Sequence, residues 1–286
     1  MHTDNTHMTT MKTLLAAAVG LAMLGTSMPA DAGRGSSTNR IRRAIQSDVP
    51  SAIVSELEKA EYLWCAGCID DVMQLIDHPE YTVREVAAWW FARRPAQKKE
   101  LTERSIALLA GSDSVQARNA ADVLGTFRHP QGIEALSAAV VRTDFDAEAR
   151  MAAARALGTI GHAAANPALA AAMGDTDATV RVAAVNAWLA IRKQADAAPV
   201  VALVKDSDAA VRRAATSVVG TLRESSARAD LEDRLANDED PAVRRNAAWA
   251  LGRIGDPASR SALEAAQTDE SGLVRGVARA ALSELR

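Results

Sequence analysis

Residues 238–252 read D-E-D-P-A-V-R-R-N-A-A-W-A-L-G, and this stretch decides the fold because it recurs along the chain. Close copies begin at Asp175, with D-T-D-A-T-V-R-V-A-A, and at Asp206, with D-S-D-A-A-V-R-R-A-A. Self-similarity at a fixed period is typical of a solenoid, because one repeat cannot bury its own apolar face without its neighbours. The sequence therefore predicts a stack of similar helical units.

The repeat extends over most of the chain. When the copies are aligned on the arginine of V-R, they are spaced by 31 to 33 residues, and Ala117 replaces the arginine in one copy. The arginine column consists of Arg84, Arg150, Arg181, Arg212, Arg244 and Arg275. Eight residues later stand Gly125, Gly158, Gly220 and Gly252, with Ala92, Leu189 and Ser283 in the divergent copies. We interpret this second column as the point where the first helix of each repeat approaches its end.

Helix starts are also marked in the repeat. Asp177, Asp208, Asp240 and Ser271 precede the arginine by four residues, where a short oxygen-bearing side chain can accept the first free backbone N–H groups. A second helix is predicted after each turn, with leucines at helical spacing. Each unit is therefore predicted to be a helix, a tight turn and a shorter helix, without β-strands.

The pattern D-x-D-x-x-V-R-x-x-A-x-x-A-L-G resembles the HEAT repeat, in the form similar to phycobilisome-lyase-type HEAT repeats. The resemblance covers residues 77–286 and implies an all-α, right-handed α-solenoid, a superhelix of about six or seven two-helix repeats. HEAT-like families include scaffolds, transport adaptors, bilin-lyase subunits and a di-iron hydroxylase, so the fold does not select a function. The hydroxylase would need His-Glu pairs to hold iron, and the chain contains no His-Glu dipeptide.

Residues 1–32 have the pattern of a cleaved export signal, with the starting methionine left open. Lys12 precedes an uncharged apolar run over residues 14–24, and small residues lead up to Ala32. A run of this length is too short to span a bilayer, so no stable membrane insertion is expected. We expect cleavage after Ala32 and a soluble, periplasmic destination.

Residues 33–76 depart from the repeat pattern and are predicted to form a flexible leader and an atypical helical cap that closes one end of the core. The formal net charge of the chain is -3, which gives no global electropositive field. Nucleic acid is therefore excluded as an expected partner.

The cap contains the only two cysteines of the chain, Cys65 and Cys68, in the order Trp64-Cys65-Ala66-Gly67-Cys68. This order superficially resembles the W-C-x-x-C of thioredoxin-like oxidoreductases, in which the motif follows a β-strand and opens a helix. That strand context is missing here. In an oxidising compartment we predict a local structural disulfide, with redox activity and metal binding as the alternatives.

The arginine column allows two interpretations. A row of arginines could bind an anionic ligand. Alternatively, each arginine could pair with an aspartate of its own or the adjacent repeat, such as Asp175, Asp206 or Asp238. We favour this structural ladder, because an acid lies beside the arginines and would compete with an anionic ligand.

Aromatic residues are concentrated near the cap. Six of the ten aromatic residues lie within one short segment. They are Tyr62, Trp64, Tyr81, Trp89, Trp90 and Phe91. Helical spacing directs Trp89 and Trp90 to different sides, so one is expected in the core and the other at a surface or groove. This cluster is the candidate anchor for a partner or ligand.

The chain has no G-x-S-x-G motif, no phosphate-binding glycine loop and no metal-ligand spacing. We therefore predict a protein that is not an enzyme, has no catalytic residues, cofactor or metal, and acts as a scaffold or adaptor. The inner surface of the superhelix, formed by the second helices, is expected to bind a protein partner in the cell envelope. The alternatives are a carrier of an apolar small molecule such as a lipid, enclosed around Trp89, Trp90 and Val86, and an accessory enzyme subunit or CxxC redox protein.

Overall fold

The computed structural model describes residues 36–63, 65–194 and 196–285, and all regular secondary structure within these ranges is helical. The predicted export signal in residues 1–32 and the side chain of Trp64 lie outside the described residues. The described residues form a series of helices in which each motif-bearing helix packs against the next one along the chain. The prediction of an all-α solenoid is confirmed.

Seven helices contain the aligned positions of the repeat motif and form the main row of the stack, although α6 has Ala117 in place of the column arginine. They are α4 (Tyr81–Phe91), α6 (Ser114–Phe127), α8 (Ala147–Ile160), α10 (Ala178–Ala190), α12 (Ala209–Leu222), α14 (Pro241–Ile254) and α16 (Gly272–Glu284). We call these the motif helices. Their alanine-rich sequences favour both the helical state and close approach of neighbours.

The helices that directly precede each motif helix along the chain form the second row. They are α3 (Ile69–Gln74), α5 (Pro95–Ala110), α7 (Ile133–Ala139), α9 (Asn166–Ala172), α11 (Ala198–Ala202), α13 (Arg228–Asn237) and α15 (Arg260–Ala265). Most are shorter than the motif helices, as predicted, and α5 is an exception with 16 residues. Two helices precede the repeats, α1 (Thr38–Ser47) and α2 (Pro50–Lys59), in the segment predicted to be the cap.

The predicted helix starts are nearly all observed. The side chains of Asp177, Asp208 and Asp240 accept hydrogen bonds from backbone N–H groups of the first turn. Ser271 precedes α16 but makes no such bond with its side chain. Its backbone N–H instead donates to Asp269 at 2.7 Å, so the turn before α16 is stabilised by the aspartate two residues earlier.

The apolar core consists of two clusters that meet at α6. Val123 and Phe127 belong to the cluster around the first helices, whereas Leu124 belongs to the cluster that continues to the last helix. Each face of α6 therefore covers a different part of the core. This arrangement is expected of a stack in which each unit buries the apolar side of its neighbour.

The glycine column lies near the end of the motif helices, as the sequence predicts, and it has a second role. Gly125, Gly158, Gly220 and Gly252 each stand two residues before the last residue of α6, α8, α12 and α14. Gly158 lies within α8, and a Cβ atom added there would be 2.7 Å from Cα of Ala187 in α10. Gly220 and Gly252 likewise face alanines of the next motif helix. These glycines therefore allow neighbouring motif helices to approach closely.

Candidate functional site

Arginines and aspartates of the motif connect consecutive repeats. Nε and Nη2 of Arg181 donate to the two carboxylate oxygens of Asp206, in the next repeat, at 2.9 and 2.7 Å. Its Nη1 donates to the backbone carbonyl oxygens of Asp175 and Thr176, in its own repeat, at 2.9 and 3.2 Å. One guanidinium therefore stabilises the turn of its own repeat and binds the turn of the next.

Four consecutive repeats each contain such an arginine–aspartate pair, and we call these four pairs the ladder. Its pairs are Arg150 with Asp175, Arg181 with Asp206, Arg212 with Asp238, and Arg244 with Asp269. Each of these aspartates also accepts a hydrogen bond from the backbone N–H two residues later. Each of the four carboxylates thus accepts hydrogen bonds both from an arginine and from the backbone. The guanidinium groups that an anionic ligand would need are already paired with these carboxylates.

The electrostatics of the ladder follow from this geometry. Burial by itself raises the pKa of Asp206, but the hydrogen bonds from Arg181 and from the backbone N–H of Asp208 outweigh it and bring the pKa below its usual value. The pKa of Arg181 is raised, first by its hydrogen bonds with Asp206. Both groups of the pair are therefore held in their charged forms.

Arg84 and Arg275, the first and last arginines of the column, differ from the ladder. Nη2 of Arg84 donates to Asp122, a residue in the middle of α6, at 2.8 Å. Gly111 occupies the position in that repeat where the ladder has an aspartate, which explains the change of partner. Arg275 donates to the backbone carbonyl oxygens of Asp269 and Glu270 at 2.6 and 3.0 Å.

Arg142 replaces the arginine that is absent at Ala117. Its Nη1 donates to the backbone carbonyl oxygens of Leu109 and Gly111 at 3.0 and 2.6 Å, and its guanidinium pairs with Asp144. Asp144 lies six residues before the next column arginine, as the ladder aspartates do. Arg142 is a residue that the repeat pattern did not predict, although an aspartate at position 144 without a column arginine in the preceding repeat could have indicated it.

Two cavities lie side by side on the motif helices. The first has a volume of about 590 Å³ and is lined by residues of α2, α4, α6 and α8. The second has a volume of about 740 Å³ and is lined mainly by α8, α10 and the start of α12. Because Tyr81 and Arg155 line both, the cavities form one groove that crosses five motif helices. These cavities thus lie on the motif helices, whereas the sequence-based expectation placed the binding surface on the second helices, and that expectation stays a prediction.

One position of the repeat supplies a groove residue in four successive motif helices. It lies five residues after the arginine column and contains Trp89, Asp122, Arg155 and Asn186. In α14 the same position is Trp249, which is 38% exposed and lies over Gly220. Trp249 was not among the predicted site residues, although its place five residues after Arg244 could have indicated it.

A polar bridge crosses the groove where the two cavities meet. Nη2 of Arg155 donates to Asp122 at 3.1 Å, and the Arg155 guanidinium lies 5.1 Å from the centre of the Tyr81 ring. The Tyr81 hydroxyl donates to Glu85 at 3.2 Å. Burial, followed by the charge of Glu85, raises the pKa of Tyr81 to about 12, so its hydroxyl remains a donor at neutral pH. These contacts connect α4 with α8, two repeats further along the chain.

The predicted aromatic cluster is divided between the groove and the core. Tyr81 and Trp89 line the first cavity, and the Arg93 guanidinium lies 4.1 Å from the Trp89 ring. Trp90 and Phe91 are fully buried and pack edge to face, with ring centres 5.2 Å apart. Tyr62 is 85% exposed. The prediction that Trp89 and Trp90 lie on different sides of their helix is confirmed. Because Trp90 is buried in the core, the two tryptophans do not together line an apolar binding site.

Cys65 and Cys68 are joined through their sulfur atoms, with Cα atoms 5.3 Å apart. Both side chains are buried, and Oγ1 of Thr38 in α1 lies 3.1 Å from Sγ of Cys65. Arg42, also in α1, donates to the backbone carbonyl oxygen of Gly67 at 2.5 Å. The turn that contains the two cysteines therefore packs against α1, and its structural role stays a prediction.

Within the described residues, no group of three or more His, Cys, Asp or Glu side chains is arranged to hold a metal ion.

None of the helices in residues 36–63, 65–194 and 196–285 combines the length and apolar character required to cross a bilayer.

No curated protein sequence matches the chain significantly. Among solved structures, the chain is similar to Escherichia coli YibA, with 16% identity over 86% of this chain and 92% of that chain and a TM-score of 0.56. It is also similar to Kap95p from a structure with RanGDP, with 14% identity and a TM-score of 0.55. That match covers 88% of this chain and 41% of Kap95p.

The prediction that the chain is not an enzyme is corrected by two further structures. Human deoxyhypusine hydroxylase has 20% identity, coverage of 86% of this chain and 96% of that chain, and a TM-score of 0.39. The CpcE and CpcF complex of phycocyanin lyase from Nostoc has 22% identity, coverage of 78% and 97%, and a TM-score of 0.41. Enzymes with HEAT-like folds are thus among the similar structures, and missing catalytic motifs do not exclude activity. At these identities the likeness concerns the fold and assigns no reaction to this chain.

The family model for HEAT repeats matches residues 103–188, 138–206 and 197–283. These matches together cover residues 103–283, more than half of the chain, and they include α6 to α16 with the complete ladder. The chain therefore belongs to the HEAT-repeat family.

Proposed function

We propose that the groove on the motif helices binds an extended segment of a protein partner, so that the chain acts as a scaffold or adaptor in the cell envelope. The observation that carries this proposal is the continuity of the two cavities across five motif helices. A long, open groove suits a polypeptide, which can extend over several repeats, better than a small substrate that needs enclosure.

The chemistry of the groove supports the same assignment. The second cavity presents apolar side chains, such as Val182 and Met151, next to the polar side chains of Asn186 and Thr179. A bound polypeptide needs both, because its backbone requires hydrogen-bonding partners while its side chains bury apolar surface. Kap95p, which shares the fold, was solved with a bound protein, RanGDP, and this offers an analogy for protein binding by such a surface.

The envelope location rests on the predicted export signal in residues 1–32. It is tested by fractionating cells that produce the full chain and measuring the intact mass of the purified protein. We expect a periplasmic protein that begins at Gly33. A cytosolic protein that retains residues 1–32 would contradict the proposed location and leave the groove unaffected.

Binding in the groove is tested by photo-crosslinking in cells from a photoreactive residue at Thr179, followed by identification of the adducts. Asn186→Arg places a long charged side chain in the second cavity and is expected to abolish the specific adducts. The matched controls Ala138→Arg and Ala229→Arg carry the same side chain at exposed positions of α7 and α13 and are expected to retain them. Adducts that survive Asn186→Arg but disappear in the controls would place the binding surface on the second row of helices.

The second cavity also favours one alternative, a carrier of an apolar small molecule. Its volume of about 740 Å³ and its alanine, valine and methionine lining suit an aliphatic chain. Native mass spectrometry of the protein purified from its own envelope would reveal a co-purified lipid. A mass equal to that of the polypeptide alone would count against this alternative.

A further inference from the structure

Helices α6 and α14 contain the same pair of side chains, an arginine followed by an asparagine, at the same repeat position. In α6, Nε and Nη2 of Arg118 donate to Oδ1 of Asn119, both at 3.3 Å. In α14, Nε and Nη2 of Arg245 donate to Oδ1 of Asn246 at 3.3 and 3.1 Å. Each asparagine therefore holds the neighbouring guanidinium in the same way and leaves its Nη1 for another partner.

The two guanidinium groups differ in what they bind beyond the asparagine. Nη1 of Arg118 donates at 2.9 Å to Glu148, which lies two residues before the column arginine of the next motif helix. The equivalent residue beyond Arg245 is Leu273 in α16, which is 69% exposed. Within the described residues, no carboxylate lies within ion-pair distance of Arg245. Its Nη1 is therefore oriented for a carboxylate that these residues do not supply.

Trp249 and Arg253 repeat a second arrangement, that of Trp89 and Arg93 in α4. The Arg93 guanidinium lies 4.1 Å from the centre of the Trp89 ring and forms an ion pair with Glu61. Arg253 follows Trp249 by the same four residues. Its Nε is buried without a hydrogen-bond partner, and its guanidinium has no ion pair in the part of the chain that the structure describes. Arg253 is thus a second arginine of α14 without the carboxylate that an earlier repeat provides.

Arg245, Trp249 and Arg253 lie on one face of α14, because they follow each other at intervals of four residues. We call these three residues the α14 patch. Trp249 is 38% exposed and occupies the repeat position that lines the groove in α4, α6, α8 and α10. The patch therefore continues the row of groove residues beyond the second cavity.

Positive charge predominates at this end of the row. Arg253 also lines a third cavity, with a volume of about 510 Å³, together with Arg223 and Glu284. In the patch and this cavity, three arginines therefore stand against one carboxylate. Opposite charges across an interface select the partner and accelerate its association.

We infer that the α14 patch binds an acidic segment of a protein partner, in which carboxylates flank an apolar side chain. The inference rests on the proposed function and deepens it, because it assigns the chemistry of the segment at this end of the row. The carboxylates bind the two arginines, as glutamates do in the earlier repeats, and the apolar side chain packs on Trp249. Tryptophan and arginine are enriched among the residues that contribute most to protein interfaces.

The test uses the full chain and the fluorescein-labelled peptide G-E-D-L-F-E-D-G, with binding measured by fluorescence anisotropy at low salt. We expect this peptide to bind about tenfold more tightly than G-Q-N-L-F-Q-N-G and G-K-R-L-F-K-R-G, because only its charges complement the patch. Arg245→Gln should weaken binding about two- to fivefold, the effect of one ion pair near the surface. Trp249→Ala should weaken it about tenfold, as expected of a tryptophan at the centre of an interface.

Leu273→Glu is the most direct variant, because it gives α16 the glutamate that α8 has at the same position. The introduced carboxylate should pair with Arg245, as Glu148 pairs with Arg118, and weaken peptide binding about two- to fivefold. Leu273→Gln is the matched control without the charge and should retain the affinity. Leu273 is exposed, so both variants should fold. Equal peptide affinities of the two variants would overturn the inference.

Two further measurements define where and what the patch binds. Arg118→Gln removes an arginine that is already paired with Glu148 and should leave peptide binding unchanged. Peptide binding that persists in both Arg245→Gln and Trp249→Ala would lie elsewhere on the chain and overturn the inference. Binding of phosphatidylglycerol vesicles that depends on Arg245, without binding of the peptide, would make the patch a lipid-binding surface and also overturn it.

Failure of this inference is distinguishable from failure of the proposed function. If peptide binding depends on Arg245 and is weakened by Leu273→Glu, while Asn186→Arg leaves all crosslinked adducts unchanged, the patch binds acidic segments and the groove does not bind the partner. If Asn186→Arg abolishes the adducts but Leu273→Glu does not weaken peptide binding, the groove binds a partner that the patch does not select.

Discussion

Arg212 and Asp238 form a bidentate ion pair between α12 and the turn before α14, with Nε to Oδ2 at 2.7 Å and Nη2 to Oδ1 at 2.9 Å. The two side chains are only 6% and 0% exposed. This pair connects consecutive repeats at a site that water barely reaches. Without its bidentate partner, each buried charge would keep only a longer ion pair, Arg212 to Glu239 at 3.7 Å or Asp238 to Arg234 at 3.5 Å, so the pair needs both residues for its full stabilisation.

Removing one partner of this pair should strongly destabilise the stack. Asp238→Ala leaves the Arg212 guanidinium without its carboxylate, and we expect a loss of about 3–5 kcal/mol in the free energy of unfolding, measured by urea titration with circular dichroism. Glu103→Ala is the control, since it breaks the exposed Lys99–Glu103 pair of α5, where about 0–1 kcal/mol is expected. Equal effects of the two substitutions would show that the ladder does not hold the repeats together.

The ladder also predicts a loss of stability in acid. Burial raises the pKa values of Asp175, Asp206 and Asp238, but hydrogen bonds from the arginines and backbone outweigh it, so their pKa values are lower in the folded state than usual. The stabilisation is therefore present above the unfolded-state pKa of about 3.9 and is lost as the pH falls through the folded-state values. The urea midpoint should change little from pH 7 to about 5 and fall below about pH 4.

Asp238→Asn provides the control for the acid effect. The variant removes one titrating carboxylate, so its urea midpoint should be lower at neutral pH and should depend less steeply on pH below about 4. Parallel pH profiles for the variant and the unmodified chain would assign the acid sensitivity to other groups.

Glycines at the helix contacts should not tolerate even a methyl group. A Cβ at Gly158 would lie 2.7 Å from Cα of Ala187, so Gly158→Ala should cost about 1–3 kcal/mol by forcing α8 and α10 apart. Gly276, in α16, has no other atom within 4 Å of the added Cβ. Gly276→Ala should therefore stabilise the protein by about 0.5–1 kcal/mol through helix propensity. Thermal unfolding of both variants measures the difference, and a stabilising Gly158→Ala would disprove the close contact.

The disulfide between Cys65 and Cys68 should contribute to the stability of the fold and should not take part in thiol exchange. It closes a loop of only four residues, so the double variant Cys65→Ser with Cys68→Ser should lose about 2 kcal/mol or less of stability. Both side chains are buried, which predicts slow reduction by dithiothreitol in the native state and fast reduction in urea. The measurement is the rate of alkylation after reduction, followed by mass. Fast native reduction with turnover of a disulfide substrate would favour the redox alternative.

Local patterns in the sequence correctly predicted the local structure. The helix starts at Asp177, Asp208 and Asp240 could be recognised because an N-cap side chain binds backbone N–H groups no more than three residues away. The separation of Trp89 from Trp90 followed from helical geometry alone. The pairing of Arg84 with Asp122 could not be predicted, because the two residues are 38 positions apart and the motif offers no aspartate at the expected place.

By itself, the sequence determined that the chain forms paired helices in a stack, because a period of 31 to 33 residues and the helix caps are properties of short segments. Tertiary structure alone decided that the groove lies on the motif helices, that the glycines serve helix contact, and that Arg142 replaces a missing arginine. These features depend on which faces of neighbouring helices meet. The contact between two helix faces is determined by side-chain volumes and ion pairs that involve residues of two different repeats, so the sequence of one repeat does not reveal it.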